Sequence, residues 1–228
     1  MITHSAPPPA LWSGRFLFLL ILAFTIFQPA AWSAGITDVV KPSLESGRLA
    51  NWIALRNHNQ NMPFIIVDKA GAMVFVFNSQ GKLQGSSPAL LGLGIGDETK
   101  PETLNKPLSQ IRPEERITPA GRFVAQLGKN ISNQLILWVD YDDAISLHPV
   151  RSVSPKERRL RRLSTPDSND NRISYGCINV PKQFFDKVVK PSLSNYRTVV
   201  YIMPEVRDIQ SVFKGYKKST EVSQSAPF

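Results

Sequence analysis

A single cysteine, Cys177, stands among 228 residues, within Ile173-Ser174-Tyr175-Gly176-Cys177-Ile178-Asn179-Val180-Pro181. A lone cysteine has no intramolecular disulfide partner, so in an exported chain its thiol is either incidental or kept for reactivity. The neighbours favour reactivity. Ser174, Gly176 and Asn179 are turn formers, and Gly176 lets backbone approach a reacting group without a Cβ in the way. From Pro181 the chain reads as a helix, with Phe184, Phe185, Val188 and Val189 as its apolar stripe and the proline at its first position. That reading sets Cys177 just ahead of a helix N-terminus, whose partial positive charge favours thiolate. The bland alternative is a small buried apolar residue.

A thiolate nucleophile needs a base, and there are three histidines. His4 falls in a targeting-like segment, and His58 lies in the polar run Arg56-Asn57-His58-Asn59-Gln60-Asn61, read as a solvated loop. His148 ends the strand-like Ala144-Ile145-Ser146-Leu147-His148, and Pro149 biases it towards extended backbone. Proline keeps its carbonyl, so Pro149 is suited to accept from the ring's second nitrogen, the orienting third group of a Cys–His pair. The alternative is a hydrogen-bonded core histidine. Backbone N–H groups of Tyr175, Gly176 and Cys177 are the oxyanion candidates. Ser174 and Asn179 hold the turn, or Asn179 reaches substrate. Arg172, five residues before Cys177, either holds a substrate carboxylate or braces the loop.

A histidine followed downstream by Ser-Tyr-Gly-Cys-Ile-Asn resembles the catalytic core of the L,D-transpeptidases, the YkuD-type cell-wall enzymes. Ile117-Thr118-Pro119-Ala120-Gly121-Arg122-Phe123 is similar to that family's Thr-Pro-x-Gly-x-Phe segment, and Ile65 to Phe77 to its opening strand pair. The resemblance covers roughly residues 63 to 204. It departs at Tyr175, where a histidine is usual, at Pro149, where glycine is usual, and in a longer segment between base and nucleophile. It implies a mainly β (α+β), sandwich-like domain, with no metal or cofactor. It also implies acyl transfer on peptidoglycan stem peptides through a thioester, and acylation by carbapenems. Two rivals stay open: a carboxypeptidase or endopeptidase with water as acceptor, and a non-catalytic basic envelope-binding module.

The remaining elements must position these groups. Residues 1–33 read as a secretory signal peptide, with Arg15 ahead of the apolar run Phe16 to Phe27 and small residues around Ala31-Trp32-Ser33. Twelve residues are too few to span a bilayer, so an uncleaved leader is the alternative and the sole membrane attachment considered. Export to the periplasm or cell envelope is expected. The net charge of +9 then points to peptidoglycan or other anionic envelope polymers, not nucleic acid. A helix is expected over 36–56, within an N-terminal segment 34–62, then a catalytic domain 63–204 and a polar tail 205–228. Within the domain a hairpin is read over Phe64 to Phe77, strands over 122–127 and 134–141 around a Gly128-Lys129-Asn130 turn, and a last strand over 198–203. Gly92, Gly94 and Gly96 read as a loop needing positive φ, since no phosphate-loop lysine and helix follow. Asp140, Asp142 and Asp143 lack further ligands at metal spacing and read as a solvated turn. The insertion 151–163 carries six basic residues and one acidic one. It reads as a short helix after Pro155 with Leu160 and Leu163 inward, and as either a solvated face or a flap whose arginines meet substrate carboxylates.

Overall fold

Ser43 starts the first ordered helix: its Oγ accepts from the Ser46 N–H at 3.2 Å, and α1 runs over Leu44–Leu55. The computed structural model describes residues 40–151, 154–193, 195 and 197–217, so the leader expected over 1–33 lies outside the described residues. Ser46, Leu49, Ala50 and Ile53 form the buried face of α1, whereas Leu44 and Leu55 face solvent, and the helix begins later than the expected 36. The helix is tied to the sheet by Asp68 Oδ2, which accepts from Ser43 Oγ at 2.8 Å and Ser46 Oγ at 3.0 Å.

The strands follow as β1 (Phe64–Asp68), β2 (Met73–Phe77), β3 (Leu83–Pro88) and β4 (Leu91–Gly92), then a short α2 (Pro101–Leu104). After it come β5 (Gly121–Lys129), β6 (Leu135–Asp140), β7 (Ile145–Pro149), α3 (Arg159–Arg162), β8 (Arg172–Ser174) and β9 (Ile178–Val180). The chain continues as α4 (Lys182–Phe184), which widens into a π turn over Phe185–Val189, then β10 (Arg197–Ile202) and α5 (Ile209–Val212). Eight strands make one mixed sheet in the order β3-β2-β1-β10-β5-β6-β7-β9, and β4 pairs with β8 in a small second sheet. The mainly β, α+β expectation therefore holds. The last strand in sequence, β10, is central in space, parallel to β1 and antiparallel to β5.

Period-2 alternation divides the core in two. Ile65, Val67, Val74, Val76, Val200 and Ile202 face a largely aliphatic core shared with Phe184, Phe185 and Val189 of the α4 segment. Phe64, Ile66, Phe75, Phe77, Val199 and Tyr201 face an aromatic core covered by α1 and by Ile209, Phe213 and Tyr216. A strand buried on both faces reads as a continuous apolar run, which is why 64–68 and 198–202 show no polar alternation. His58 belongs to the aromatic side and not to a solvated loop. Its ring lies 4.5 Å from that of Trp52, and Nδ1 is 3.0 Å from the Tyr201 hydroxyl.

The β5–β6 turn falls later than expected, because Gly128 and Lys129 still pair with Ile136 and Leu135 and the reversal is made over Asn130–Asn133. Asp140 Oδ1 accepts from the N–H groups of Asp142 and Asp143, a self-capped turn. Gly92 is needed for close approach, not positive φ: a Cβ there would lie 2.3 Å from the Arg116 carbonyl oxygen.

Candidate active site

Ser146 and His148 sit two apart on β7 and so share a face. Parallel pairing sets His148 across from Asn179 of β9, and Leu147 across from Ile178. Stepping that register back one residue brings Ser146 opposite Cys177. Four polar side chains distant in sequence thus meet on one face at the sheet's end. The Ser146 hydroxyl donates to Cys177 Sγ at 3.5 Å, and the thiol donates to the Ala144 carbonyl at 3.5 Å. Cys177, Ser146, His148, Arg151, Trp138 and Phe185 line one cleft of about 550 Å³. Cys177 is half-buried, so its sulfur is reachable. Sequence reasoning missed Ser146; its signal was the i−2 spacing from His148 on a strand.

His148 Nδ1 donates to the Pro149 carbonyl at 2.8 Å, the bond expected from sequence. A carbonyl only accepts, so the proton is on Nδ1 and Nε2 keeps its lone pair. Burial pushes the imidazole below its ordinary pKa; the Pro149 bond opposes this, and the charges of Arg151 and Arg159 add to it. The net effect favours the uncharged ring. Nε2 faces Asn179 Nδ2 at 3.4 Å.

The loop carrying Cys177 is held by the hydroxyls of Ser174 and Thr118. Ser174 Oγ donates to the Cys177 carbonyl at 2.6 Å and accepts from Gly176 N–H at 3.1 Å. The Gly176 N–H is therefore already engaged, which alters its expected place among the oxyanion donors. Thr118 Oγ1 donates to the Gly176 carbonyl at 2.8 Å and accepts from the Gly92 N–H at 2.9 Å. Gly176 has φ +129°, and a Cβ would lie 2.7 Å from the Ile117 carbonyl oxygen. No other residue fits that position without movement.

Several expected placements are corrected. The helix N-terminus does not act on Cys177: residues 178–180 are claimed by β9, Pro181 is only the N-cap, and helical backbone begins at Lys182. A helix dipole fades within about one turn, and the strand intervenes. Of the two readings of Arg172, the brace is the one formed. Its guanidinium is paired with Glu205 and donates to the Lys69 carbonyl at 3.0 Å. Tyr175 is 42% exposed and carries the Arg116 guanidinium 4.1 Å above its ring. Asn179, expected to hold the turn or reach substrate, is only 1% exposed and donates from Nδ2 to the Cys177 carbonyl at 3.2 Å. In the insertion Leu163 is buried but Leu160 is 64% exposed, so only one of the two leucines turns inward. Arg159 donates to Asn179 Oδ1 at 2.7 Å, and Arg162 to the Glu157 and Asp170 carbonyls.

No family model matches the chain, and no curated protein does. Among solved structures it is similar to the NMR structure of the catalytic domain of an Enterococcus faecium L,D-transpeptidase, at 17% identity and a TM-score of 0.36, over 63% of this chain and 98% of that one. It is similar to an L,D-transpeptidase from Xylanimonas cellulosilytica at 14% identity and a TM-score of 0.37, over 61% and 59% of the two chains. A third, an L,D-transpeptidase in complex with imipenem, shows 15% identity and a TM-score of 0.34 over 62% and 58%. The chain thus spans a little over half the length of the last two.

Proposed function

We propose that the chain is a cysteine acyltransferase of the cell envelope, acting on peptidoglycan stem peptides by L,D-transpeptidation. The observation that carries the reading is that Cys177 and His148 open on one cleft, with the Pro149 carbonyl fixing the imidazole as a neutral base. His148 Nε2 takes the thiol proton, and the sulfur attacks an amide carbonyl. The C–N bond breaks, and the departing amine receives that proton from His148, leaving a thioester. A second stem's amine then attacks the thioester and gives its proton to His148; a new amide C–N bond forms, the C–S bond breaks, and the departing sulfur regains the proton. Proton transfer requires Nε2 to leave its long contact with Asn179, the kind of loosely aligned bond that tightens on substrate when substrate binds. The N–H groups of Tyr175 and Cys177 are the oxyanion donors, joined by that of Gly176 if it leaves Ser174. Export suits this role, with residues 1–33 as leader; among the described residues no helix is long and apolar enough to cross a membrane.

Incubation with a tetrapeptide stem ending in D-alanine, followed by mass spectrometry of the products, tests the assignment. New dimers support transfer, shortened monomers replace it with hydrolysis, and unchanged stems sink both. A carbapenem adduct on the intact chain that vanishes in Cys177→Ala would identify the nucleophile.

A further inference from the structure

Arg159 belongs to the basic insertion, 18 residues before Cys177, yet its guanidinium reaches behind the site. Nη1 donates to Asn179 Oδ1 at 2.7 Å and Nε to Glu157 Oε2 at 2.6 Å, and the side chain is only 11% exposed. We propose that Arg159 is a positioning residue for His148, acting through the Asn179 amide. The proposal rests on the acyl-transfer reading only in taking His148 as the base.

An arginine has donors and no acceptor, so it can face only the oxygen of the Asn179 amide. That choice sends Nδ2 the other way, where its protons meet the Cys177 carbonyl at 3.2 Å and His148 Nε2 at 3.4 Å. The Asn179 backbone is pinned by reciprocal bonds with Leu90 at 2.8 and 2.9 Å, and burial leaves the amide no water to turn towards. The imidazole therefore sits between an acceptor at Nδ1 and a donor at Nε2, an arrangement that fits only the neutral Nδ1–H tautomer. Rotating the amide by half a turn would set Oδ1 against Nε2 and favour the protonated ring. Arg159 selects between the two. Other charged or titratable groups lining the cleft are Arg151, Cys177, Lys182 and Asp186, and no side chain of these four is hydrogen-bonded to the Asn179 amide, which meets Cys177 only at its carbonyl. Glu157 in turn orients the guanidinium, so the insertion is a brace for the base and not a free arginine flap at this position.

The test follows the ring directly, by ¹⁵N NMR of the full chain across pH, in wild type, Arg159→Gln and Arg159→Lys. Wild type is expected to show Nδ1 protonated and Nε2 unprotonated near neutrality. In Arg159→Gln the His148 titration should move up by roughly 0.5 to 1 pH unit, as the amide becomes free to present its oxygen. Arg159→Lys keeps the charge and still offers only donors to Asn179 Oδ1, so the titration should stay near the wild-type value. Arg151→Gln, measured alongside, removes a charge that makes no bond to the amide and should move the titration less than Arg159→Gln does. An unmoved titration in Arg159→Gln overturns the proposal. An equal shift in Arg151→Gln also overturns it, since charge alone would then account for the effect. If Arg159→Gln does not fold, Arg159→Met, which keeps the aliphatic stem and has no donor, carries the same comparison. The readout does not need Cys177 to react, so a larger shift at Arg159 than at Arg151 supports the proposal even in a chain that fails the acylation test.

Discussion

The ring of His148 is tied to its own neighbour in sequence, Nδ1 to the Pro149 carbonyl oxygen at 2.8 Å. Proline makes this bond dependable: it holds the strand end extended and offers an acceptor with no competing N–H. The tautomer is thereby set before any substrate arrives.

His148 must be neutral to accept the thiol proton, and its pKa is lowered from the ordinary 6.5, by burial first. The acid limb of kcat/KM should therefore inflect below 6.5, activity falling as pH drops through it. Arg151 contributes to the lowering, so Arg151→Gln should move the limb upward. His148→Ala should cost about 10²- to 10⁴-fold in rate. The same shift has a stability consequence: below about 6.5 the unfolded chain gains a proton that the folded ring resists, so acidification should lower the melting temperature.

Thr118 is fully buried and joins Gly92 to Gly176 through one hydroxyl. Thr118→Val is nearly isosteric but strands a buried N–H and a buried carbonyl, a loss of about 1–3 kcal/mol for each group left unsatisfied. Thr118→Ser should recover most of it. Urea denaturation gives the energy, and the rate of Cys177 acylation shows whether the loop has shifted.

Gly176→Ala combines an unfavourable φ with a Cβ 2.7 Å from a backbone oxygen. The strain of such a conformation is on the order of 1–3 kcal/mol, and the clash requires the Ile117 segment or the nucleophile loop to move. Acylation should fall more steeply than stability, because the displaced residue adjoins the sulfur. Equal losses in both would count against a role for the loop geometry.

Lys69 and Asp97 are buried together at 2.7 Å, with Glu205 3.5 Å from the same ammonium. For Asp97, burial acts upward but is outweighed by hydrogen bonds from Lys69 and the N–H groups of Glu205 and Arg207, bringing it to about 2. Its stabilisation is thus complete above the ordinary 3.8 and lost as pH falls through about 2. Asp97→Ala leaves the Lys69 charge short of its partner and should cost about 3–5 kcal/mol by chemical denaturation at neutral pH.

Cys177, His148 and Pro149 were legible from the sequence because their signals are local. A lone thiol, a strand ending in histidine and a carbonyl one residue on need no knowledge of distant pairing. The hairpin over 64–77 and a helix within 36–56 were legible for the same reason, through their apolar positions, but the helix start was not, because the Ser43 cap that sets it at Leu44 went unread. The helix expected to polarise Cys177 failed because residues 178–180 pair with β7, a long-range choice that local propensity does not contain. The two readings of Arg172 could not be separated from sequence for the same reason, since its partner Glu205 is 33 residues away. Lys69 follows β1 at the hairpin turn, and nothing in its neighbouring residues announces that Asp97 and Glu205 pair with it in the interior. Side-chain type and spacing determined which groups are able to react. Only the closing of the sheet decided which groups orient them, because parallel pairing of β7 with β9 and the return of the insertion bring Asn179, with Arg159 behind it, to the histidine across gaps that no local pattern records.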